Sequence, residues 1–349
     1  MTRARPGTII HSRAPLRIND IGGWTDTWFA GEGRVLNLAV DPPVEVQLEL
    51  SRNERLVADR AEVHAENFGE VFRFDPDNPR TSPHPLLQHT LAAIPVPRRF
   101  RIAVWIHSPV PPGISTGTSA SVGVALLGAI NRAVGGWRAR LEIAALAHRV
   151  ETQKLGRQSG IQDQICAACG GVSDIRIARY PRALVRRVRL RPDVWDELSR
   201  RLILVYLGRP HHSSALHERV IARLEAGGLR ARPLEVLKEL AELGRRALLA
   251  GDLEEYGRVM ILNNEGQRAL FRQLISPEAD EVIRLARKWK AAGWKVNGAG
   301  GKGGSMTLLA SADDELRRRL GRDLFLLRHG IRPLPVSLSP EGLRAWRLA

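Results

Sequence analysis

The chain of 349 residues has only two cysteines, Cys166 and Cys169, in a CxxC pattern with no second pair to complete a zinc site. A disulfide framework is therefore excluded and a reducing compartment is expected. The two thiols are predicted to be small buried residues that line the wall of a site, and a redox pair is the alternative. The 26% of charged residues is ordinary for a globular protein. Because one hydrophobic core rarely grows beyond about 300 residues, the length predicts two domains.

Long hydrophobic runs are also missing. The longest apolar stretch, residues 122–130, contains two glycines and is far shorter than the ~20 residues that span a bilayer. Residues 1–10 carry arginines but no apolar segment follows them, so no secretory signal is predicted. We therefore expect a cytoplasmic protein without a membrane partner.

Lysine is scarce, whereas arginine is abundant. Only six of the 53 basic residues are lysines, and the formal net charge is +16. Basic surfaces attract nucleic acids, but these arginines occur in every segment instead of one arm or stripe. The distribution favours a small anionic substrate, such as a nucleotide or sugar phosphate, and we expect no nucleic-acid partner.

Hydrophobic periodicity divides the chain into a β-rich first part and a helix-rich second part. It predicts strands of a mostly antiparallel sheet at residues 8–18, 34–40, 44–50, 71–74, 100–107, 172–178 and 184–190. It predicts helices in the same part at 84–94, at 119–134, at 141–154 and from Gln162. In the second part, helices dominate between strands at 202–207, 305–310 and 331–338. We predict an α+β protein with domains at residues 1–195 and 196–349.

The first of three glycine-rich segments, APLRINDIGGWTD at residues 14–26, joins a predicted strand to a double-glycine turn. Asp26 offers two acceptor oxygens for hydroxyl groups and Trp24 offers an apolar face, which together suit a sugar. The alternative is a structural strand and loop with a salt bridge from Arg17. The candidate substrate-binding residues of this turn are Gly22, Gly23, Trp24, Thr25 and Asp26.

The second segment, PPGISTGTSAS at residues 111–121, places five small hydroxyl residues within seven positions before an apolar helix. Backbone N–H groups at such a helix start hold phosphate oxygens, and the helix dipole adds about half a positive charge. We predict a phosphate cradle here, with Thr118 or Ser119 as hydroxyl candidates for Mg²⁺; the alternative is an ordinary Ser/Thr N-cap. The candidate cofactor-binding residues are Pro112, Gly113, Ser115, Thr116, Gly117, Thr118, Ser119 and Ala120.

The third segment, residues 296–305, contains a formal GxGxxG at positions 298, 300 and 303. A strand pattern follows it, whereas a dinucleotide fingerprint opens a helix. A Walker A loop is also excluded, because Gly303 stands where Ser or Thr is required. We expect either a structural tight turn or a flexible turn whose backbone approaches the substrate, with Gly300, Gly301 and Lys302 as candidate contacts.

Together these segments resemble the three motifs of the GHMP kinase superfamily, and the resemblance covers nearly the whole chain. The first motif has Leu16 in place of a glycine and Gly23-Trp24 in place of Glu-His, and in the second Ser115 stands where a glycine is usual. GGWTDT is closer to L-fucokinases and D-glycero-D-manno-heptose 7-phosphate kinases. The resemblance implies a two-domain α+β kinase fold, with an N-terminal domain like ribosomal protein S5 domain 2 and a ferredoxin-like C-terminal domain.

A fourth match is the most specific. Glu151 precedes Asp163 by twelve positions, the spacing that the family uses between its magnesium-binding Glu and its catalytic Asp. The resemblance implies that Asp163 takes the proton of the acceptor hydroxyl and that Arg17 lies beside it and the transferring phosphoryl group. It further implies ATP and Mg²⁺ as cofactors, with Ser119 and Glu151 as the metal ligands.

The implied activity is transfer of the γ-phosphate of ATP to a sugar hydroxyl. The first candidate is the anomeric C1 hydroxyl of a heptose 7-phosphate or related sugar, with Arg209, Ser213 and Ser214 as candidate phosphate contacts; an L-fucokinase-like acceptor is the alternative. An isoprenoid or amino-acid alcohol, a non-catalytic sugar sensor and a basic nucleic-acid binder stay open. A homodimer is also left open as the oligomeric state.

Overall fold

The computed structural model describes residues 5–66, 69–79, 84–211, 214–226 and 232–348. Within these ranges the strands form two sheets, one of nine strands and one of four. Helices pack against both sheets, and helices and strands do not alternate strictly along the chain. The predicted α+β class is confirmed.

The first sheet is built on two long strands, β1 (Thr8–Ile21) and β2 (Gly33–Arg52), which pair antiparallel. The register of this pair shifts between Ala14 and Leu16, so the strands predicted at 34–40 and 44–50 are one irregular strand. Among the described strands, only the pair of β3 (Ala61–Ala65) and β5 (Phe100–His107) is parallel. The other strands of this sheet are β3 (Ala61–Ala65), β4 (Glu70–Phe74), β5 (Phe100–His107), β6 (Val172–Arg179), β7 (Arg182–Val188), β12 (Ser337–Leu338) and β13 (Arg344–Arg347).

The helices in the first half of the described chain are α1 (Pro85–Ala92), α2 (Thr118–Ala133), α3 (Arg140–Arg149) and α4 (Gln162–Cys169). A π-helical turn, Val150–Lys154, continues α3. The almost entirely buried α2 packs on β1 and β2, and α4 packs on α2 and α3. Their apolar side chains and those of the strands form the main core, which fixes the N-termini of α2 and α4 near the end of β1. Cys166 and Cys169 on α4 are free thiols; Cys166 is buried as predicted, whereas Cys169 is only half-buried.

The second sheet has the strand order β11-β8-β10-β9 and a separate apolar core. Its strands are β8 (Leu202–Leu207), β9 (Gly293–Val296), β10 (Ser305–Leu309) and β11 (Ile331–Leu334). Helices α7 (Arg232–Ala250) and α8 (Leu253–Leu270) pack on each other, and both also contact β1 in the first sheet. The helices of this part are α5 (Pro192–Arg201), α6 (Ser214–Ala226), α7 (Arg232–Ala250), α8 (Leu253–Leu270), α9 (Pro277–Lys288) and α10 (Asp314–Phe325).

The end of the chain returns to the first sheet, since β12 pairs with β2 and β13 pairs with β1. The division into domains near residue 195 stays a proposal, and any such division has to assign these last strands to the first sheet. Among the described residues, no helix has both the length and the apolar character that a membrane crossing requires.

Candidate active site

A cavity of about 360 Å³ lies where the end of β1 meets the N-termini of α2 and α4. Its wall is formed mainly by the end of β1 and the turn after it, the loop before α2, the turn before α4 and the loop after β9, and His211 and Ile221 also line it. The segments predicted as a sugar-binding turn, a phosphate cradle and the start of a catalytic helix therefore share one cavity. Its lining includes Arg17, Asp20, Trp24, Asp26, Ser115, Gly117, Ser119, Asp163 and Gly298.

An ion pair between Arg17 on β1 and Asp163 in the first turn of α4 lies in this cavity. Nε of Arg17 donates to Oδ1 of Asp163 at 2.8 Å, and Nη2 donates to Oδ2 at 2.9 Å. Such a bidentate pair fixes the orientation of both groups. Burial alone would lower the pKa of Arg17, but Asp163 and Asp20 raise it above its ordinary value, so the guanidinium stays charged.

The loop before α2 presents its backbone to the cavity. Gly113, Ser115 and Gly117 have φ values of +72°, +60° and +67°, in the left-handed region, so Ser115 adopts a conformation that glycine would reach without strain. Gly117 is the N-cap of α2, and no side chain in the described chain caps this terminus. The alternative of an ordinary Ser/Thr cap is therefore wrong, and the amides at the start of α2 are suited to hold an anion.

Glu151 reaches the same region from the π-helical turn, a feature that often marks functional sites. Its Oε2 accepts from Nε2 of Gln164 at 2.9 Å and from Oγ of Ser159 at 3.2 Å. Its Oε1 is buried and has no hydrogen-bond partner within the described ranges. Burial, and then the charge of Asp163, raise the pKa of Glu151, while Ser119 interacts with the carboxyl group and opposes the shift.

This donor set fits Mg²⁺. Mg²⁺ prefers a few oxygen ligands from the protein together with phosphate and water. Glu151 has a carboxylate oxygen without a hydrogen-bond partner within the described ranges, and Ser119 interacts with the same carboxyl group. In the part of the chain that the structure describes, no cluster of three or more His, Cys, Asp or Glu side chains would hold a metal by itself. Phosphate oxygens are therefore needed to complete such a site.

Another part of the wall combines a buried carboxylate with aromatic side chains. Oδ2 of Asp26 accepts the backbone N–H of Gln162 at 3.1 Å, at the start of α4. Burial raises the pKa of Asp26 to about 6, so the group is mainly ionised at neutral pH. Trp24, Trp28 and Phe29 also line the cavity. A carboxylate beside aromatic faces suits a polyol such as a sugar.

The remaining residues of the double-glycine turn shape the site without lining the cavity. The hydroxyl of Thr25 donates to the carbonyl of Gly22 at 2.7 Å, and the N–H of Gly22 donates to Oδ1 of Asn263 on α8 at 2.7 Å. A Cβ on Gly23 would lie 2.5 Å from Oδ2 of Asp20. These three residues therefore hold the turn that presents Trp24 and Asp26.

The third glycine-rich loop contributes different residues from those predicted. The N–H of Gly301 donates to the carbonyl of Leu274 at 2.7 Å, and a Cβ on Gly300 would lie 2.4 Å from the same oxygen. Lys302 is exposed. None of these three predicted contacts lines the cavity; the loop contributes Gly298 and Ala299 instead.

A second hollow, of about 250 Å³, adjoins the cradle and shares Gly113, Thr118 and Ser119 with the main cavity. Its mainly apolar wall suits a planar heteroaromatic group. Sequence analysis predicted only Pro112 and those three residues here, because the other apolar side chains lie on elements whose pattern is that of ordinary core. The apolar lining residues outside that prediction are Ala65, Pro85, Leu86, Leu87, Ile106, Val110 and Val122.

The predicted phosphate contacts near the start of the second sheet are only partly described. Arg209 forms an ion pair with Glu278, and its neighbour His211 lines the cavity. Ser213 lies outside the described residues, as does the side chain of Ser214.

Comparison with known proteins decides the family. The family model described as GHMP kinases N terminal domain matches residues 86–171. A mevalonate kinase of Pyrococcus horikoshii is 30% identical over 253 residues, which cover 71% of this chain and 69% of that protein. The chain belongs to the GHMP kinase family.

This GHMP kinase is 22% identical over 345 residues to D-glycero-alpha-D-manno-heptose 7-phosphate kinase of Campylobacter jejuni, covering 97% of the chain and 99% of that protein. It is 27% identical over 335 residues to a bifunctional fucokinase/GDP-fucose pyrophosphorylase of Arabidopsis thaliana, covering 88% of the chain but 30% of the plant protein. The crystal structure of a D-glycero-D-manno-heptose 1-phosphate kinase from Bacteroides thetaiotaomicron has a TM-score of 0.74 at 20% identity, covering 97% and 99% of the two chains. The GHMP kinase fold expected from the motifs is confirmed.

Proposed function

We propose that this GHMP kinase transfers the γ-phosphate of ATP to a hydroxyl group of a sugar. The observation that carries the proposal is the Arg17–Asp163 pair, which shares one cavity with the uncapped N-terminus of α2 and with the carboxylate and aromatic rings of residues 24–29. Phosphoryl transfer needs a base, a cation, an anion-binding element and an acceptor-binding wall in one place.

The start of α2 and the loop before it bind the phosphates of ATP through backbone amides. The helix dipole adds about half a positive charge at this terminus. The adjoining apolar hollow receives the adenine base, because it shares Gly113, Thr118 and Ser119 with the cavity that holds Asp163. The triphosphate then runs from the hollow toward the Arg17–Asp163 pair.

Asp163 accepts the proton of the sugar hydroxyl while that oxygen bonds to the γ-phosphorus and the bond to the leaving ADP oxygen breaks. Arg17 orients the carboxylate through two hydrogen bonds, and its guanidinium stabilises the negative charge of the transferring group. Ser119 and Glu151 would hold Mg²⁺, which when bound neutralises phosphate oxygens. Gln164 and Ser159 keep Glu151 in place through Oε2 and leave its Oε1 for this role.

Asp26 and the aromatic wall bind the ring of the acceptor. The resemblance to anomeric sugar kinases favours the C1 hydroxyl of a heptose 7-phosphate or related sugar. An unphosphorylated, L-fucose-like sugar is the second candidate, because Arg17 and His211 are the basic side chains at the cavity wall among the described residues, and Arg209 is paired with Glu278.

An ATP-consumption screen over free hexoses, 6-deoxyhexoses and sugar phosphates tests the proposal, with mevalonate and homoserine as acceptors from other branches of the family. Proton and phosphorus NMR of the product locates the new ester. ADP formation only with phosphorylated sugars supports the heptose 7-phosphate acceptor, and formation only with L-fucose-like sugars supports the second candidate.

Two variants separate this activity from a contaminating kinase. Asp163→Asn is the variant that should be inactive. Asp193→Asn is the matched control, because Asp193 is an exposed aspartate in the first turn of α5. Formation of the sugar phosphate ester should disappear only in Asp163→Asn. Phosphorylation of mevalonate or homoserine but no sugar, or salt-dependent binding of RNA or DNA without ATP turnover, would contradict the proposal.

A further inference from the structure

A buried ion pair joins the two sheets beside the cavity. Nζ of Lys295 on β9 donates to Oδ1 of Asp20 near the end of β1 at 2.9 Å, and the side chains are 0% and 1% exposed. Fully buried lysines are rare, and burying such a pair usually costs more than well-packed apolar residues would. Neither residue has a role that its sequence pattern predicts.

One oxygen of Asp20 contacts three groups at the site. Besides Lys295, Oδ1 accepts the backbone N–H of Gly298 at 3.0 Å and lies 3.4 Å from Nη1 of Arg17. Nη1 also donates to the carbonyl of Ser115 at 3.1 Å. The guanidinium is therefore held by Asp163 on one edge and by Asp20 and Ser115 on another.

The four charges alternate along this line, from Lys295 through Asp20 and Arg17 to Asp163. Burial opposes the ionisation of Asp20, but Lys295 and Arg17 together hold the pKa of its carboxyl below the ordinary value. Burial lowers the pKa of Lys295, and Asp20 opposes that change. Each charge in the line is thus balanced by a neighbour, and removal of one leaves another uncompensated.

The turn after β1 leaves room for this carboxylate. Gly23 has no positive φ that would require glycine, yet its missing side chain matters, because a Cβ there would lie 2.5 Å from Oδ2 of Asp20. The position of the Asp20 side chain therefore explains why the second residue of the double-glycine turn is glycine.

We propose that Asp20, fixed by Lys295, is a positioning residue that sets the orientation of the Arg17 guanidinium toward Asp163 and the transferring phosphoryl group. The proposal rests on the kinase function proposed above. Loss of the pair lets the guanidinium rotate away from Asp163 and relaxes the Gly298 backbone. Misplacement of a catalytic group by about 1 Å costs about 100-fold in rate.

The test compares Lys295→Met and Asp20→Asn with the double variant Asp20→Asn/Lys295→Met. Each single variant leaves a buried charge, whereas the double variant removes both and should recover most of the lost stability. We expect kcat of the double variant to stay about 100-fold low with little change in the KM for ATP. A double variant that recovers both the wild-type Tm and the wild-type kcat shows a merely structural pair and overturns the proposal.

Two further variants keep the test specific. Arg201→Met is the matched control, because it removes another buried cation of the second-sheet region, one that pairs with Glu254; it should lower Tm and leave kcat unchanged. Gly23→Ala keeps every charge and displaces Asp20, so it should lower kcat without the electrostatic change. Wild-type kcat in Gly23→Ala also speaks against the proposal.

A measurement without turnover separates this proposal from the proposed function. The Nε–H resonance of Arg17, assigned by its absence in Arg17→Lys, should shift and exchange faster with water in the double variant but not in Arg201→Met. An unchanged resonance in the double variant overturns the positioning role even if the protein phosphorylates sugars. If the wild type phosphorylates no sugar but the double variant shows the expected NMR change, the proposed function is wrong. The orientation of Arg17 by Asp20 is then still supported.

Discussion

Asp26→Asn should stabilise the folded protein at neutral and alkaline pH while it weakens acceptor binding. Burial raises the pKa of Asp26 from 3.8 to about 6, so above that pH the fold holds a charged carboxylate where the neutral acid is preferred. At about 1.4 kcal/mol per pKa unit, the difference destabilises the fold by about 3 kcal/mol. The amide oxygen of asparagine still accepts the N–H of Gln162 that Asp26 binds at 3.1 Å.

The pH dependence follows from the direction of the pKa change. A carboxyl group with a higher pKa in the folded state binds protons more readily there, so its contribution to stability falls as pH rises between 3.8 and about 6. The destabilisation is therefore absent at about pH 3 and complete at about pH 7 and above. Urea unfolding of the wild type and the variant across this range measures it, because other titrating groups cancel in the difference.

The expected result is a difference in unfolding free energy that grows by about 3 kcal/mol in favour of Asp26→Asn from pH 3 to pH 8. At pH 8 the same variant should show a higher KM for the acceptor. A difference that stays flat with pH, or one that increasingly favours the wild type as pH rises, would refute the reasoning about Asp26.

Three other substitutions test separate parts of the site. Arg17→Ala should lower kcat by on the order of 10³-fold in steady-state ATP turnover, because the charge on the transferring group loses its cation; a loss below about ten-fold speaks against that role. Gly160→Ala should raise the acceptor KM more than it lowers kcat, since a Cβ there would lie 2.1 Å from Oδ2 of Asp26, and an unchanged acceptor KM contradicts this. Glu151→Gln should raise the Mg²⁺ concentration for half-maximal activity by at least about ten-fold in a titration at fixed ATP; an unchanged Mg²⁺ requirement removes Glu151 as a ligand.

Much of the fold is predictable from hydrophobic patterning. The pattern predicts β5 and β8 with their observed bounds, Phe100–His107 and Leu202–Leu207. It does not predict α5, because that helix is strongly polar and buries only a narrow stripe including Val194 and Leu198. The strand Arg344–Arg347 is also missed, since it owes its conformation to pairing with β1 far away in the sequence.

The site is predictable where its residues are consecutive. The glycine and hydroxyl pattern before α2 is a local property that indicates an anion-binding helix start. The spacing of Glu151 and Asp163 is also local, and its proposed chemistry comes from the resemblance to the GHMP kinase motifs. The pair of Asp20 and Lys295 is not, because the residues are 275 positions apart and each looks like an ordinary surface charge in sequence. The predicted contact of Lys302 is wrong because the adjacent Gly301 is bound to the carbonyl of Leu274, and the side chain of Lys302 is exposed and does not line the cavity.

The central claim is that Asp163 serves as the base of a kinase centre that it shares with Arg17 and the start of α2. Its most direct test measures ATP binding by calorimetry and sugar ester formation by phosphorus NMR in one preparation of Asp163→Asn. Asp163→Asn should bind ATP with an affinity close to that of the wild type and form no sugar phosphate ester. Near-normal ester formation in this variant would contradict it.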